Sequence, residues 1–348
     1  MDTTFYKGRK VLITGHTGFK GSWLSALLLL EGAELTGYAL DAPTEPSLFK
    51  LAGLENCMRS LRGDVRDYDH LQEVFKETQP EIVFHLAAQP IVRESYRNPL
   101  LTYETNVMGT VHVLEALRNT DSVRSFLNVT TDKVYENREW PWGYRETDRL
   151  DGYDPYSNSK SCSELVTHSY LQSFFQDSSC AISTARAGNV IGGGDFAPDR
   201  IIPDCIRFAE IGQKIVVRNP YSIRPYQHVL EPLSAYLLIA ERQYEDKTYA
   251  GCYNVGPGDE GCASTGELAE LFCEAWGEGQ TWENHSVEGP HEAGFLKLDC
   301  SKIRSKLGWK PRWDIRKAVS ETVSFARALQ AGQDAFDIMA GQIREFGL

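Results

Sequence analysis

Tyr156 and Lys160 stand four residues apart in the string Tyr156-Ser157-Asn158-Ser159-Lys160, a spacing that sets both side chains on one face of a helix. An ammonium beside a phenol favours the phenolate, so the pair is expected to lower the Tyr156 pKa from about 10 toward neutrality. A base of that kind takes a proton from a substrate hydroxyl while hydride leaves the same carbon. Chance Y-x-x-x-K strings are common in long chains, so position has to decide. Upstream, Thr130-Thr131-Asp132-Lys133 closes a strand-like run. It brings hydroxyl, carboxylate and amine to a strand end, where α/β proteins place their ligands.

A third group lies near the start of the chain. Gly15-His16-Thr17-Gly18-Phe19-Lys20-Gly21 follows an apolar strand and opens a helix. A dinucleotide pyrophosphate needs such a place: a tight turn, close backbone approach, and N–H groups aimed from a helix start. Gly15, Thr17, Gly18, Phe19, Lys20 and Gly21 are the candidate cofactor contacts, with Lys20 either at the pyrophosphate or in solvent. Asp41 ends the second strand about 20 residues on, where a carboxylate binds a ribose 2′-hydroxyl and repels a 2′-phosphate. That favours NAD over NADP.

These residues need a scaffold, and the hydrophobic pattern supplies one. Strand-like runs at 11–15, 34–40, 82–88 and 125–130 alternate with helical patterns at 19–32, 69–78 and 100–118. Further on, a helix is expected from Pro155 to Phe175 and a strand over 181–191. Apolar strands separated by helices of this length read as βαβ units and a parallel sheet covered on both faces. The fold class is therefore α/β, a Rossmann-type doubly wound parallel sheet. After Gly192-Gly193-Gly194-Asp195 the texture changes. A helix at 264–277, a short strand at 296–299 and an amphipathic helix near 315–330 suggest a smaller mixed α/β lobe for substrate. The expected division is 1–190 plus return segments near 225–258 for the dinucleotide domain, with 191–224 and 259–348 in the smaller lobe.

Composition narrows the function classes. The 348 residues carry 36 Lys+Arg against 48 Asp+Glu, a net charge of −12. An acidic surface argues against nonspecific nucleic-acid binding and against anionic membranes. It leaves room for an anionic ligand held by a few arginines and helix N-termini. The eight cysteines are scattered, without C-x-x-C or zinc spacing, so reduced thiols and no metal site are expected. The longest apolar run, Trp23 to Leu30, falls far short of the roughly 20 residues that span a bilayer. With a strand starting near Lys10 the chain reads as cytoplasmic.

The glycine spacing G-x-x-G-x-x-G, with Tyr156 and Lys160, resembles the extended short-chain dehydrogenase/reductases, the NAD-dependent epimerase/dehydratase family. Longer strings resemble its CDP-glucose 4,6-dehydratases: GHTGFKGSW (15–23), PSLF (46–49), HLAAQPIVR (85–93), NVMGTVH (106–112), TTDKVY (130–135), GYDPYSNSK (152–160), AGNVIGGGD (187–195), IRPYQHVLEPL (223–233) and HEAGFLKLD (291–299). Tyr226 stands where relatives carry tryptophan.

The resemblance implies an NAD-dependent lyase that oxidises C4 of a nucleotide-linked glucose, removes water across C5–C6 and returns hydride to C6. A 4-epimerase, or a dehydratase for a GDP- or dTDP-linked sugar, is the alternative. The resemblance implies roles as well. Thr131 would bond the sugar 4-hydroxyl, and Asp132 and Lys133 would drive elimination. Most dehydratases of the family carry Asp-Glu where this chain has Asp-Lys, so the C5 base would be an amine kept neutral by burial. Asp64 and Val65 would edge the adenine, and Leu86, Ala87, Ala88, Gln89 and Asn106 would contact cofactor. Arg224 would clamp the pyrophosphate, being permanently charged and able to donate bidentately. Asn189, Asp195, Arg200 and His291 would contact the sugar nucleotide, although Asp195 can equally cap a turn and Arg200 pair at the surface. His228 reads as filling a polar pocket. Apolar groups on the helices at 100–118 and 155–175 (Val107, Val111, Leu114, Leu165, Val166, Tyr170) would pair across a two-fold axis in a four-helix bundle, as a homodimer or dimer of dimers.

Overall fold

A computed structural model of the chain describes residues 4–258, 261–285 and 294–348. Strand β1 (Lys10–Thr14) is buried from its second residue on, and β4 (Ile82–His85) and β5 (Ser125–Val129) are buried throughout. Strands without a solvent face belong in the middle of a sheet covered on both sides. With β2 (Glu34–Ala39), β3 (Arg59–Arg62), β6 (Ala181–Ala187) and β7 (Cys252–Val255) they form one seven-stranded sheet in the order β7-β6-β5-β4-β1-β2-β3. Every pairing in it is parallel. The order reverses between β1 and β4, which opens the ligand crevice of a doubly wound sheet.

The longer helices cross over between strands. They are α1 (Phe19–Leu30), α2 (Tyr68–Thr78), α3 (Gly109–Arg118), α4 (Pro155–Phe174) and α5 (Ile201–Glu210), then α6 (Leu230–Glu245), α7 (Thr265–Trp276), α8 (Ile315–Gln330) and α9 (Ala335–Phe346). Local chemistry starts several of them. Asp154 accepts from the Ser157 N–H at 2.9 Å with Pro155 in the first turn of α4, and Ser264 and Glu267 form a reciprocal capping box on α7.

Apolar residues gather in three clusters. One face of the sheet packs α1, α6 and α9 around Trp23, Leu27, Tyr236 and Met339. The other packs α2, α3 and α4 around Leu71, Phe75, Leu114 and Phe126. The third joins α5, α7 and α8 through Ile202, Phe272 and Val319, and is the hydrophobic centre of the smaller lobe. Terminal α9 packs on α1 rather than in that lobe. Glycines join the two regions. A Cβ on Gly193 would lie 1.9 Å from the Phe325 ring, and the Trp23 indole donates to the Gly193 carbonyl at 3.0 Å.

Three expectations change in detail. The helix expected over 100–118 is interrupted by a π-helical turn at Glu104–Met108 between a short helix, Pro99–Tyr103, and α3. The strand expected over 181–191 ends at Ala187 and resumes only as Val190–Ile191. The expected strand at 296–299 makes isolated bridges alone, Leu298 with Tyr144 and Phe295 with Ile223. A chain kept there by single bridges has no neighbour along which a ladder could run.

Candidate active site

The sheet's carboxyl edge and the smaller lobe enclose a cleft of about 620 Å³. Lys20, Thr131, Asp132, Lys133 and Tyr156 line it together with Asn189, Asp195, Arg200 and Arg224. Residues from five separate stretches of sequence thus meet in one place.

Strand β5 delivers the first of them. It ends at Val129, and Thr131 caps the short 3-10 turn Asp132–Val134 by accepting from the Lys133 N–H. The Thr131 hydroxyl donates to one Asp132 oxygen at 3.0 Å. The other oxygen is buried without a hydrogen-bond partner, pressed toward Gly188, where any Cβ would come within 3.4 Å of it. Burial raises the Asp132 pKa above its ordinary value, against the pull of Lys133, Thr131, Arg224 and Lys20. A carboxyl so placed holds a proton more readily and can give it to a leaving group.

Tyr156 departs from expectation. Burial pushes its phenol up to about 12, opposed chiefly by a hydrogen bond with Thr131. The expected lowering by Lys160 is not seen, because the Lys160 ammonium donates to the Val129 carbonyl at 3.1 Å. Lys160 is itself brought down to about 8 by burial, which Glu164 opposes. Lys20 is also lowered to about 8, by burial and then by the neighbouring charges of Arg200 and Lys160. The cleft therefore crowds cations, a setting for an anionic ligand.

The glycine loop fits a pyrophosphate. Gly15 has φ +79°, and a Cβ there would lie 2.7 Å from the Ala87 nitrogen. A Cβ on Gly21 would lie 2.2 Å from the Gly15 carbonyl oxygen. Gly18 has nothing but that oxygen within 4 Å, at 3.5 Å, so its face is open. As N-cap of α1 it offers no side chain, and the first turn carries no acidic residue, so the free N–H groups suit an anion. Thr17 donates to the Leu40 carbonyl, and Phe19 packs under Gly192.

Other expected cofactor residues turn out to be occupied. Exposed Asp41 pairs with exposed Arg62 at the end of β3. Asp64 binds the Arg66 guanidinium and backbone N–H, while Val65 is buried. Leu86, Ala87 and Ala88 follow β4 directly beside the loop. Asn106 is buried in the π-helical turn. Its amide accepts from the Gln89 N–H at 2.8 Å and donates to the Ser159 hydroxyl at 2.9 Å, tying the segment after β4 to α4. Gln89 spends its side chain on Thr102 and on the Ile91 N–H. A π-helical turn of this kind recurs at functional sites, and here it lets Asn106 reach both partners.

Among the substrate candidates, Arg224 is buried and donates to the Ile223 carbonyl. Asp195 accepts from the Ala197 N–H and pairs with Arg200 at 3.0 Å, so the capping and pairing readings both hold. The Asn189 carbonyl accepts from Gln227. His228 is fully buried against Trp23 and Trp313. His291 lies outside the described residues.

Sequence reading missed two parts of this region. Glu164 and Arg186 form a buried ion pair at 2.9 Å beneath Thr130. Arg93, Asp199, Asp204 and Arg218 line the cleft as a linked set of charges. All eight cysteines are unpaired, and no group of metal-ligating side chains and no helix long and apolar enough to cross a membrane occurs among the described residues.

Comparison with known proteins gives the same direction. Residues 12–322 match the family described as GDP-mannose 4,6 dehydratase. The chain is 48% identical over 352 aligned residues to CDP-glucose 4,6-dehydratase of Salmonella typhimurium, covering 99% of this chain and 98% of the relative. In structure it resembles a UDP-glucose 4-epimerase of Thermus thermophilus in complex with NAD (TM-score 0.79, 26% identity, 91% and 98% of the two chains). A dTDP-glucose 4,6-dehydratase of Bacillus anthracis, also in complex with NAD, aligns with TM-score 0.78 at 21% identity over 95% and 100% of the two chains. The chain belongs to the GDP-mannose 4,6 dehydratase family of nucleotide-sugar dehydratases.

Proposed function

We propose that the enzyme is a CDP-glucose 4,6-dehydratase with NAD as resident cofactor. The carrying observation is the meeting of Tyr156 and Thr131 with a buried, half-unpartnered Asp132 and with Lys133 in one cleft. The relative 48% identical over the whole chain supports the choice of sugar nucleotide. Gly15, Gly18, Gly21 and Asp41 would hold NAD, with Asp64, Val65 and the segment Leu86–Gln89 beside it. Bound NAD supplies a hydride acceptor and a cationic ring near the phenol.

Tyr156 removes the C4 hydroxyl proton as the C4 hydride leaves, and Thr131 holds the oxygen in line. The ketone acidifies C5. Lys133 takes the C5 proton and Asp132 protonates the departing C6 hydroxyl, which leaves as water. Hydride returned to C6 and a proton returned to C5 give CDP-4-dehydro-6-deoxyglucose. Lys160 steadies the phenolate through its charge. Arg224 and Arg200 meet the diphosphate with guanidinium donors.

Incubation with CDP-glucose should yield a ketosugar that absorbs in alkali; no such product, or turnover of UDP-, GDP- or dTDP-glucose in preference, overturns the reading. A two-fold assembly through α3 and α4 is part of the proposal. Leu100, Met108, Leu165 and Phe174 are exposed on these helices and the short helix before them, whereas Leu114 is spent in the protein's own core. Sedimentation as monomer alone at micromolar concentration would remove that part.

A further inference from the structure

The proposed reaction leaves four cleft residues without a task. Arg218 follows the short strand Ile215–Val217, and Asp204 lies in the first turn of α5. Their side chains meet across the cleft wall, with Arg218 Nη2 3.3 Å from Asp204 Oδ2. The other end of the guanidinium, Nη1, is held 2.9 Å from Asp199 Oδ1, and Arg93 approaches the same Asp199 oxygen at 3.6 Å. Arg207 holds the second Asp204 oxygen. All but Arg207 line the cleft, between Ile91–Val92 on one side and Val216–Val217 with Asn219 on the other. None of these charges figures among the influences on Asp132, Tyr156, Lys160 or Lys20, so they mark a different end of the cleft.

We propose that Asp204 and Arg218 read the nucleobase and select cytosine over uracil. This rests on the nucleotide-sugar reading above and names the residues that would decide its base. Cytosine presents an amino donor at N4 and acceptors at N3 and O2. A carboxylate accepts from the amino group, and a guanidinium donates to N3 and O2. Uracil reverses the first two, offering a carbonyl at O4 and a donor at N3. It would set its O4 against the Asp204 carboxylate and its N3–H against the Arg218 N–H groups. Two like-to-like contacts inside a cleft cost more than two matches gain, because unmade hydrogen bonds are expensive where water is excluded. Asp199 and Arg207 act through the pair, fixing the guanidinium and carboxylate in one orientation. The apolar Val216–Val217 and Ile91–Val92 segments give the ring faces to lie against.

The test measures kcat/KM for CDP-glucose and UDP-glucose, and separately the binding of CDP and UDP, on the full chain with NAD. Wild type is expected to prefer the cytosine nucleotide in both. Asp204→Asn keeps the shape but adds a donor, and should narrow the preference by about 10- to 100-fold, the weight of a bidentate base contact. Arg218→Gln should do the same, and Asp204→Glu should recover part of it. The pyrophosphate variant Arg224→Lys should weaken CDP and UDP alike. An unchanged CDP/UDP ratio in Asp204→Asn and Arg218→Gln, with near-native melting, overturns the proposal. So does a wild type that binds both nucleotides equally. If wild type prefers CDP in binding and loses that preference in the variants, yet makes no ketosugar from CDP-glucose, the base assignment stands and the dehydratase reading fails.

Discussion

Arg186→Met should destabilise the protein far more than an ordinary polar substitution. Arg186 on β6 and Glu164 on α4 are paired at 2.9 Å with side-chain exposures of 3% and 1%. The Glu164 carboxylate also accepts from Thr130 at 2.5 Å and Thr184 at 2.7 Å, and Arg186 donates to the Tyr135 hydroxyl at 2.8 Å. Methionine fills much of the arginine stem's volume but leaves the carboxylate with two hydroxyls and no cation. Breaking one side of a buried pair costs about 3–5 kcal/mol. With an unfolding entropy of about 2.1 cal/mol/K per residue, a chain of 348 residues loses roughly 4–7 °C in Tm. Glu164→Gln on the Arg186→Met background removes the orphaned charge while keeping the hydroxyl contacts, so it should recover at least half of the loss. Thermal unfolding followed by circular dichroism on wild type, Arg186→Met and the double variant decides it. A melting point for Arg186→Met within about 1 °C of wild type would refute the reasoning, as would a double variant no better than the single one.

Tyr156→Phe should slow formation of reduced cofactor in a single turnover by a factor on the order of hundreds, whereas Asp132→Asn and Lys133→Met should still reduce the cofactor and stall before water departs; if Lys133→Met turns over CDP-glucose at the native rate, its role as the base is gone. Glu231, fully buried on α6, is raised to about 7 from 4.5 by burial, against hydrogen bonds from the Trp313 and Arg312 N–H groups. The folded protein therefore holds a proton there that the unfolded chain releases. Its stabilising contribution is complete below pH 4.5 and is lost as pH rises through 7, by about 3 kcal/mol. Stability measured for wild type relative to Glu231→Gln should fall by that amount over the window, and parallel curves would contradict it. Gly21→Ala puts a methyl 2.2 Å from the Gly15 carbonyl, so the loop must move and NAD affinity should drop at least tenfold by roughly the cost of a misplaced pyrophosphate contact; calorimetric titration giving native affinity would show the loop has room to spare.

The glycine loop, the alternating strands and helices and the Y-x-x-x-K pair were all legible in the sequence. Each is a local matter: a turn that no Cβ fits, a period of two or 3.6, a spacing of four. The turns at Gly15 and Gly21 are closed by atoms of the loop and of the next strand, so residue type alone announces them. What the tertiary structure decided depends on partners far apart in the chain. Lys160 is four residues from Tyr156, yet its proton goes to Val129, and burial sends the phenol up rather than down. Asn106 reads as a cofactor contact until a π-helical turn carries it to Gln89 and Ser159. Asp41 carries the expected residue type, but Arg62 on the neighbouring strand meets it. Glu164 with Arg186, and Asp204 with Arg218, gave no signal at all, since each pair joins elements separated by crossovers. Spacing reports on residues that share an element, whereas charge state depends on burial and on which opposite charge arrives from elsewhere, and both exist only once the chain has closed on itself.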